Sequence, residues 1–141
     1  MEQVIEKPKT VFQEAQNYPT YLEMLNQLLA EDKTTGPNQS EAMINYTKQN
    51  LQRKKRTAKT FKIGDEQLNF LQNLKGNYHW LVITEGWCGD AATIVPVLAE
   101  MANLSDQLEL RVTLRDEHPA LMDQFLTNGG RSIPVLIFID A

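Results

Sequence analysis

The stretch Glu85–Thr93, "EGWCGDAAT", holds the only cysteine of the chain, Cys88, between two apolar runs, "HWLVIT" (79–84) and "IVPVLAEM" (94–101). The first run is nearly continuous, as in a central strand buried on both faces. The second belongs to "DAATIVPVLAEMAN" (90–103), which reads as a helix that Pro96 should kink. A cysteine at such a strand-to-helix junction sits where backbone N–H groups and the helix dipole favour a thiolate. The plainer reading of Cys88 is a small apolar residue packed under the helix start.

Outward from this junction the periodicity predicts alternating elements. "TAKTFKI" (57–63) is predicted as a strand, and Gly64-Asp65 opens a helix with Leu68, Leu71 and Leu74 on one face. "LELRVTLR" (108–115) alternates like a strand, "EHPALMDQFLT" (117–127) is a short helix stopped by "NGG", and "IPVLIFI" (133–139) is another strand. The order β-α-β-α-β-α-β implies an α/β sandwich with some strands parallel.

The first 55 or so residues read as helical. Val11, Ala15, Tyr18, Leu22, Leu25 and Leu29 form a narrow apolar stripe that needs a cover, either the sheet or a partner chain. Pro19 kinks this helix or restarts it from its own first turn. After the loop "KTTGPNQSE", Asn38 and Glu41 are spaced as a capping box for a helix through "EAMINYTKQNLQ" (41–52). "RKKR" (53–56) reads as its solvated, dipole-complementing end. The division is a helical extension over 1–56 and a second domain over 57–141.

Three features of residues 57–141 resemble the thioredoxin-like superfamily: "WCG" at the junction, Pro96 eight residues after Cys88, and "GGRSIPVLIF". The last resembles the family's Arg-x-Ile-Pro-Thr loop, whose proline is cis and faces the reactive thiol. The resemblance implies a thioredoxin-like three-layer α/β sandwich. "EGWCGDA" with the helical extension is most similar to a bacterial subgroup with Cys-Gly-Asp-Ala in place of Cys-Gly-Pro-Cys. Ala91 stands at the resolving cysteine, Asp90 at the intervening proline, and Val82 where many members bury an aspartate. The chain stops at Ala141, so the family's last strand and closing helix are expected to be missing and a sheet edge to be left unpaired. Such an edge invites a homodimer.

By this resemblance Cys88 is the nucleophile, and Trp87 shields the sulfur and packs on substrate. Ile133 and Pro134 present backbone for an extended substrate to pair with. Gly89 and Ala91 complete the motif. Arg131 would add positive charge opposite the sulfur, whereas Glu85 and Asp90 would oppose a thiolate. The result expected is a thiol less acidic than in two-cysteine members, yet accessible. A lone thiolate forms a mixed disulfide but needs an external thiol, such as glutathione, to resolve it. The alternative is a non-catalytic module that binds a protein partner in the same groove.

The bulk numbers narrow the field. Of 141 residues, 42% are apolar and 23% charged, enough for one domain with an added subdomain. A net charge of −4 argues against nucleic-acid binding. No apolar stretch approaches the ~20 residues of a membrane span, and "MEQVIEKPKT" lacks a signal's apolar core, so a cytoplasmic protein is expected. One cysteine and two scattered histidines make no zinc site, and no cofactor is implied. His118 with Cys88 lacks the third group of a protease-like site; Asp116, Glu117 and His118 are expected to cap a helix start.

Overall fold

In the computed structural model, which describes residues 6–141, a four-stranded sheet carries helices on both faces. The elements in chain order are α1 (Pro8–Glu14), β1 (Gln16–Asn17), α2 (Tyr18–Ala30), α3 (Glu41–Thr60), α4 (Asp65–Gln72), β2 (Tyr78–Thr84), α5 (Ala91–Asn103), β3 (Leu108–Leu114), a 3₁₀ turn at Arg115–Glu117, α6 (Pro119–Met122) and β4 (Val135–Asp140). The strand order is β1-β3-β2-β4. β2 and β3 are parallel, joined by the crossover through α5, whereas β1 and β4 run antiparallel to their neighbours.

The period-2 alternation of the strands divides the core into two layers. On one face Trp80 and Val82 of β2 and Leu108, Leu110, Val112 and Leu114 of β3 pack against α2, α3, α4 and α5. On the other, Leu81 and Ile83 of β2 meet Ile137 and Ile139 of β4, covered by Val11 and Phe12 of α1 and Leu121 and Met122 of α6. β2 is buried on both sides, as its unbroken apolar run requires. β4 closes one edge, with Phe138 and Leu136 exposed on the first face. Among the described residues no helix is long and apolar enough to cross a membrane.

Several expectations are corrected here. The strand predicted over 57–63 does not form: α3 continues through "RKKR" to Thr60, and Phe61–Gly64 is irregular. Residues 53–60 alternate weakly and are rich in Lys, Arg and Ala, good helix formers that carry α3 onward. The expected 56/57 boundary therefore falls inside a helix. The sheet position beside β3 goes instead to Gln16–Asn17, far upstream. The cap of α3 is Ser40, whose Oγ accepts from the Met43 N–H at 3.3 Å, while Asn38 accepts from the Ser40 N–H. The helix expected over 117–127 shrinks to α6, and His118 pairs with Glu6 rather than capping it. Pro19 restarts the chain: Asn17 caps α2 by accepting from Thr20 N–H at 2.9 Å. α5 runs on through Pro96 without a break in its assignment.

The helical extension docks on the sheet. Tyr21 and Leu25 of α2 and Leu51 of α3 share one core cluster with Val82, Cys88, Ala91 and Val95. Thr47, Asn50, Leu51 and Lys54 are the buried residues of α3, one face at steps of three, one and three.

Candidate functional site

The turn Glu85–Asp90 joins β2 to α5 and is gripped from the helical extension. Gly86 N–H donates to Thr35 Oγ1 at 2.9 Å, and its carbonyl accepts from Asn50 Nδ2 at 3.2 Å. A Cβ on Gly86 would come within 2.7 Å of Leu25 Cδ2, so only glycine lets α2 approach this closely. Cys88 N–H donates to Glu85 O at 3.2 Å, which closes the turn.

Cys88 precedes α5, whose N-cap is the exposed Asp90 with no side-chain capping bond. Its Sγ donates to the carbonyl of Ile133 at 3.5 Å. The Ile133–Pro134 bond is cis. The structure thus brings together Cys88, Ile133 and Pro134, 45 residues apart, as the resemblance implies. The thiol is not as open as expected: Cys88 is 8% exposed, with Trp87 and Ile133 packed against its core cluster. Ala91 is fully buried in the same cluster, one turn under the sulfur.

The charges fall differently from the expectation. Arg131 is exposed and pairs with Asp123 at 3.0 Å, so its guanidinium serves the surface and not the sulfur. The position three residues before Pro134 fixes its backbone near the site, but a long side chain turns to the nearest carboxylate. Its carbonyl accepts from Arg115 Nη1 at 3.2 Å. Arg115 also pairs with Asp116 and lies 5.0 Å over the Trp87 ring, tying the motif turn to the proline loop.

Glu85 does not act from an open loop, because its side chain is fully buried. Oε1 accepts from Asp116 N–H at 3.0 Å, while Oε2 has no partner. Burial pushes its carboxyl above the usual range, against the pull of the Asp116 N–H. The penalty is absent below the unfolded value of 4.5, grows as pH rises from there towards the raised folded value, and is full above it. Glu85→Gln is therefore expected to raise the thermal midpoint at pH 7 and to leave it unchanged near pH 4, as scanning calorimetry at both pH values will show.

A buried charge that feels the thiol belongs to a residue that periodicity alone did not single out. Lys54 is 2% exposed, and among the described residues its Nζ has no hydrogen-bond partner. The ammonium stands 5.2 Å over the Tyr21 ring. Burial depresses it from 10.5 to about 8, with the negative charge of a Cys88 thiolate opposing the fall. The phenols of Tyr18 and Tyr21 are pushed up by burial. Next to Lys54, Arg53 reaches over the turn, its Nη1 3.8 Å from where a Cβ on Gly89 would stand. The signal available in the sequence was the stripe 47-50-51-54, obscured because three of its four residues are polar.

The model of the family described as thioredoxin matches residues 36–141. A solved protein of unknown function from Pseudomonas aeruginosa superposes with a TM-score of 0.65 at 16% identity, covering 96% of this chain and 71% of that one. An HIV epitope-scaffold superposes with a TM-score of 0.66 at 15% identity and the same coverage. At such identities the likeness carries the fold alone. No curated protein matches the chain. With the family model spanning α3 to β4 over the junction that carries Cys88, and a mixed α/β sheet of the same build, this chain belongs to the thioredoxin family.

Proposed function

We propose that the protein is a monothiol disulfide-exchange protein of the Cys-Gly-Asp-Ala kind, acting through Cys88 with an external thiol. The observation that supports this most is the Cys88 Sγ set against the Ile133 carbonyl at the proline loop. A substrate disulfide R–S–S–R′ is attacked at one sulfur by the Cys88 thiolate. The Cys88–S–S–R bond forms, the R–S–S–R′ bond breaks, and R′–S⁻ leaves and takes up a proton. A low-molecular-weight thiol then attacks the mixed disulfide, regenerating Cys88 and leaving with R as a new disulfide. The external thiol is the net reductant, its sulfur oxidised into the new disulfide as R′ is reduced to a thiol, so Cys88 needs no partner at position 91.

On this reading Trp87 and the backbone of Ile133 hold the substrate segment, and a reducing cytoplasm supplies the resolving thiol. The free edge of β4 is where a second copy would add. The division into an extension and a redox domain is functional on this reading, not a break in packing. A non-catalytic binding module is the second reading, favoured by the burial of Cys88 and by the apolar Ala91. The two separate on incubation with glutathione disulfide and intact-mass measurement. One glutathione adduct on the native wild-type chain and none on Cys88→Ser is the expected result; no adduct on the wild type, with a titratable thiol after denaturation, leaves the binding module.

A further inference from the structure

Beneath Cys88 the sheet and α5 offer no titratable group: Val82, Ala91 and Val95 are apolar and fully buried. This layer is nevertheless not free of charge, because α3 buries Lys54 over Tyr21. Asn50, one turn before Lys54 on that face, holds the Gly86 carbonyl, so the buried face of α3 is fixed to the turn that carries the thiol. The Lys54 ammonium stands over the ring of Tyr21, and Tyr21 belongs to the same core cluster as Cys88. An ammonium placed here without any hydrogen-bonding partner costs stability unless something else uses it.

We propose that Lys54 is the buried counter-charge of Cys88, its ammonium over the Tyr21 ring holding the thiolate form of the sulfur. The proposal rests on the disulfide-exchange reading and names the group that controls its nucleophile. The thiol proton leaves to solvent, and the ammonium of Lys54 lowers the cost of the thiolate left behind. When the thiolate attacks, its negative charge passes to the leaving thiolate of the substrate, which takes up a proton from solvent. With Lys54 at about 8, both of its forms are populated between pH 7 and 8. Titratable groups on the elements packed here include Tyr18 and Tyr21 of α2, Glu85 of the motif turn, Asp90 at the N-cap of α5 and Glu100 within α5. The two phenols stay neutral through this range, and Asp90 and Arg53 lie exposed on the surface. Glu85, already engaged by Asp116 N–H, has its carboxyl pushed up by burial, which weakens it as a rival counter-charge for Lys54.

The test is the iodoacetamide alkylation rate of Cys88 from pH 5 to 10 in the full-length wild type and in Lys54→Met. Thermal melts of each confirm that the native state is sampled. Lys54→Met is expected to react about tenfold more slowly at pH 7, with its profile displaced upward by about one pH unit. A reciprocal measurement needs no change at Lys54: in Cys88→Ala, the ¹³C NMR titration of Lys54 is expected to move to lower pH, since linkage acts both ways. If the wild type reacts and Lys54→Met matches it at every pH, the role of Lys54 is overturned while disulfide exchange stands. If the native wild type resists alkylation throughout, the exchange reading falls, and an unmoved Lys54 titration in Cys88→Ala then overturns the pairing as well.

Discussion

A chain beginning at residue 56 is expected to lose cooperative unfolding altogether. The deletion removes Val11 and Phe12 from one face of the sheet and Tyr21, Leu25 and Leu51 from the other, each at most 7% exposed. Burial of a large apolar side chain contributes roughly 1.5–3 kcal/mol, so the five together contribute about 7–15 kcal/mol. A whole domain is stable by only about 5–15 kcal/mol. The loss also strips the partners of Gly86, leaving a buried N–H and carbonyl without Thr35 and Asn50. Urea unfolding followed by circular dichroism reads the outcome. No cooperative transition is expected; a transition at the denaturant midpoint of the full-length chain would mean that the helical extension is an independent arm.

The second large effect has the opposite sign. Lys54→Met is expected to stabilise the protein at pH 7. A base depressed from 10.5 to about 8 disfavours the folded state by about 3 kcal/mol wherever both states are protonated, at 1.36 kcal/mol per unit. Methionine keeps the length and apolar stem of lysine but gives up the cation over Tyr21, worth about 1 kcal/mol. The net gain is about 2 kcal/mol, or roughly 5–10 °C in the melting midpoint of a domain this size. Between pH 8 and 10.5 the unfolded chain binds more protons at this site than the folded one, so the wild type gains stability as pH rises. The advantage of Lys54→Met should therefore be full at pH 7 and nearly gone at pH 10.5. A variant less stable than wild type at pH 7, or a gap that ignores pH, would show that the ammonium is not held at a cost. A substitution that stabilises the fold and slows the thiol is the trade expected of a group kept for reactivity.

What was legible in the sequence follows from how many forces act on each segment. β2, α5 and β4 are specified by burial, and their patterns announce them: a run apolar on both faces, a helix with buried Ala91, Ala92, Val95 and Ala99, and an alternating edge strand. The motif turn and the proline loop could be paired across 45 residues only through the family resemblance, since no local periodicity links them. The strand expected at 57–63 failed because the helix already propagating from Ser40 runs on through Thr60, despite the strand-favouring Thr57, Thr60, Phe61 and Ile63. Its place beside β3 went to two residues, Gln16 and Asn17, too short to leave any periodic trace.

The candidate site was legible at its backbone and illegible in its charges. Cys88, Ile133 and Pro134 are placed by chain geometry, which motifs encode. Arg131 and Lys54 exchange their expected roles because side-chain direction depends on what each can reach. Arg131 finds Asp123 on the surface. Lys54 lies on the α3 face that Thr47, Asn50 and Leu51 turn inward, so "RKKR" contributes one buried cation and three exposed ones. A charge run read by composition hides that difference.

The most direct measurement is the intact mass of the native protein after exposure to glutathione disulfide, with the modified peptide then sequenced. A single glutathione on Cys88, removed by added glutathione, is the predicted result. A native chain that stays unmodified while its one thiol titrates fully in denaturant would contradict it, and Cys88 would then be a core residue and nothing more.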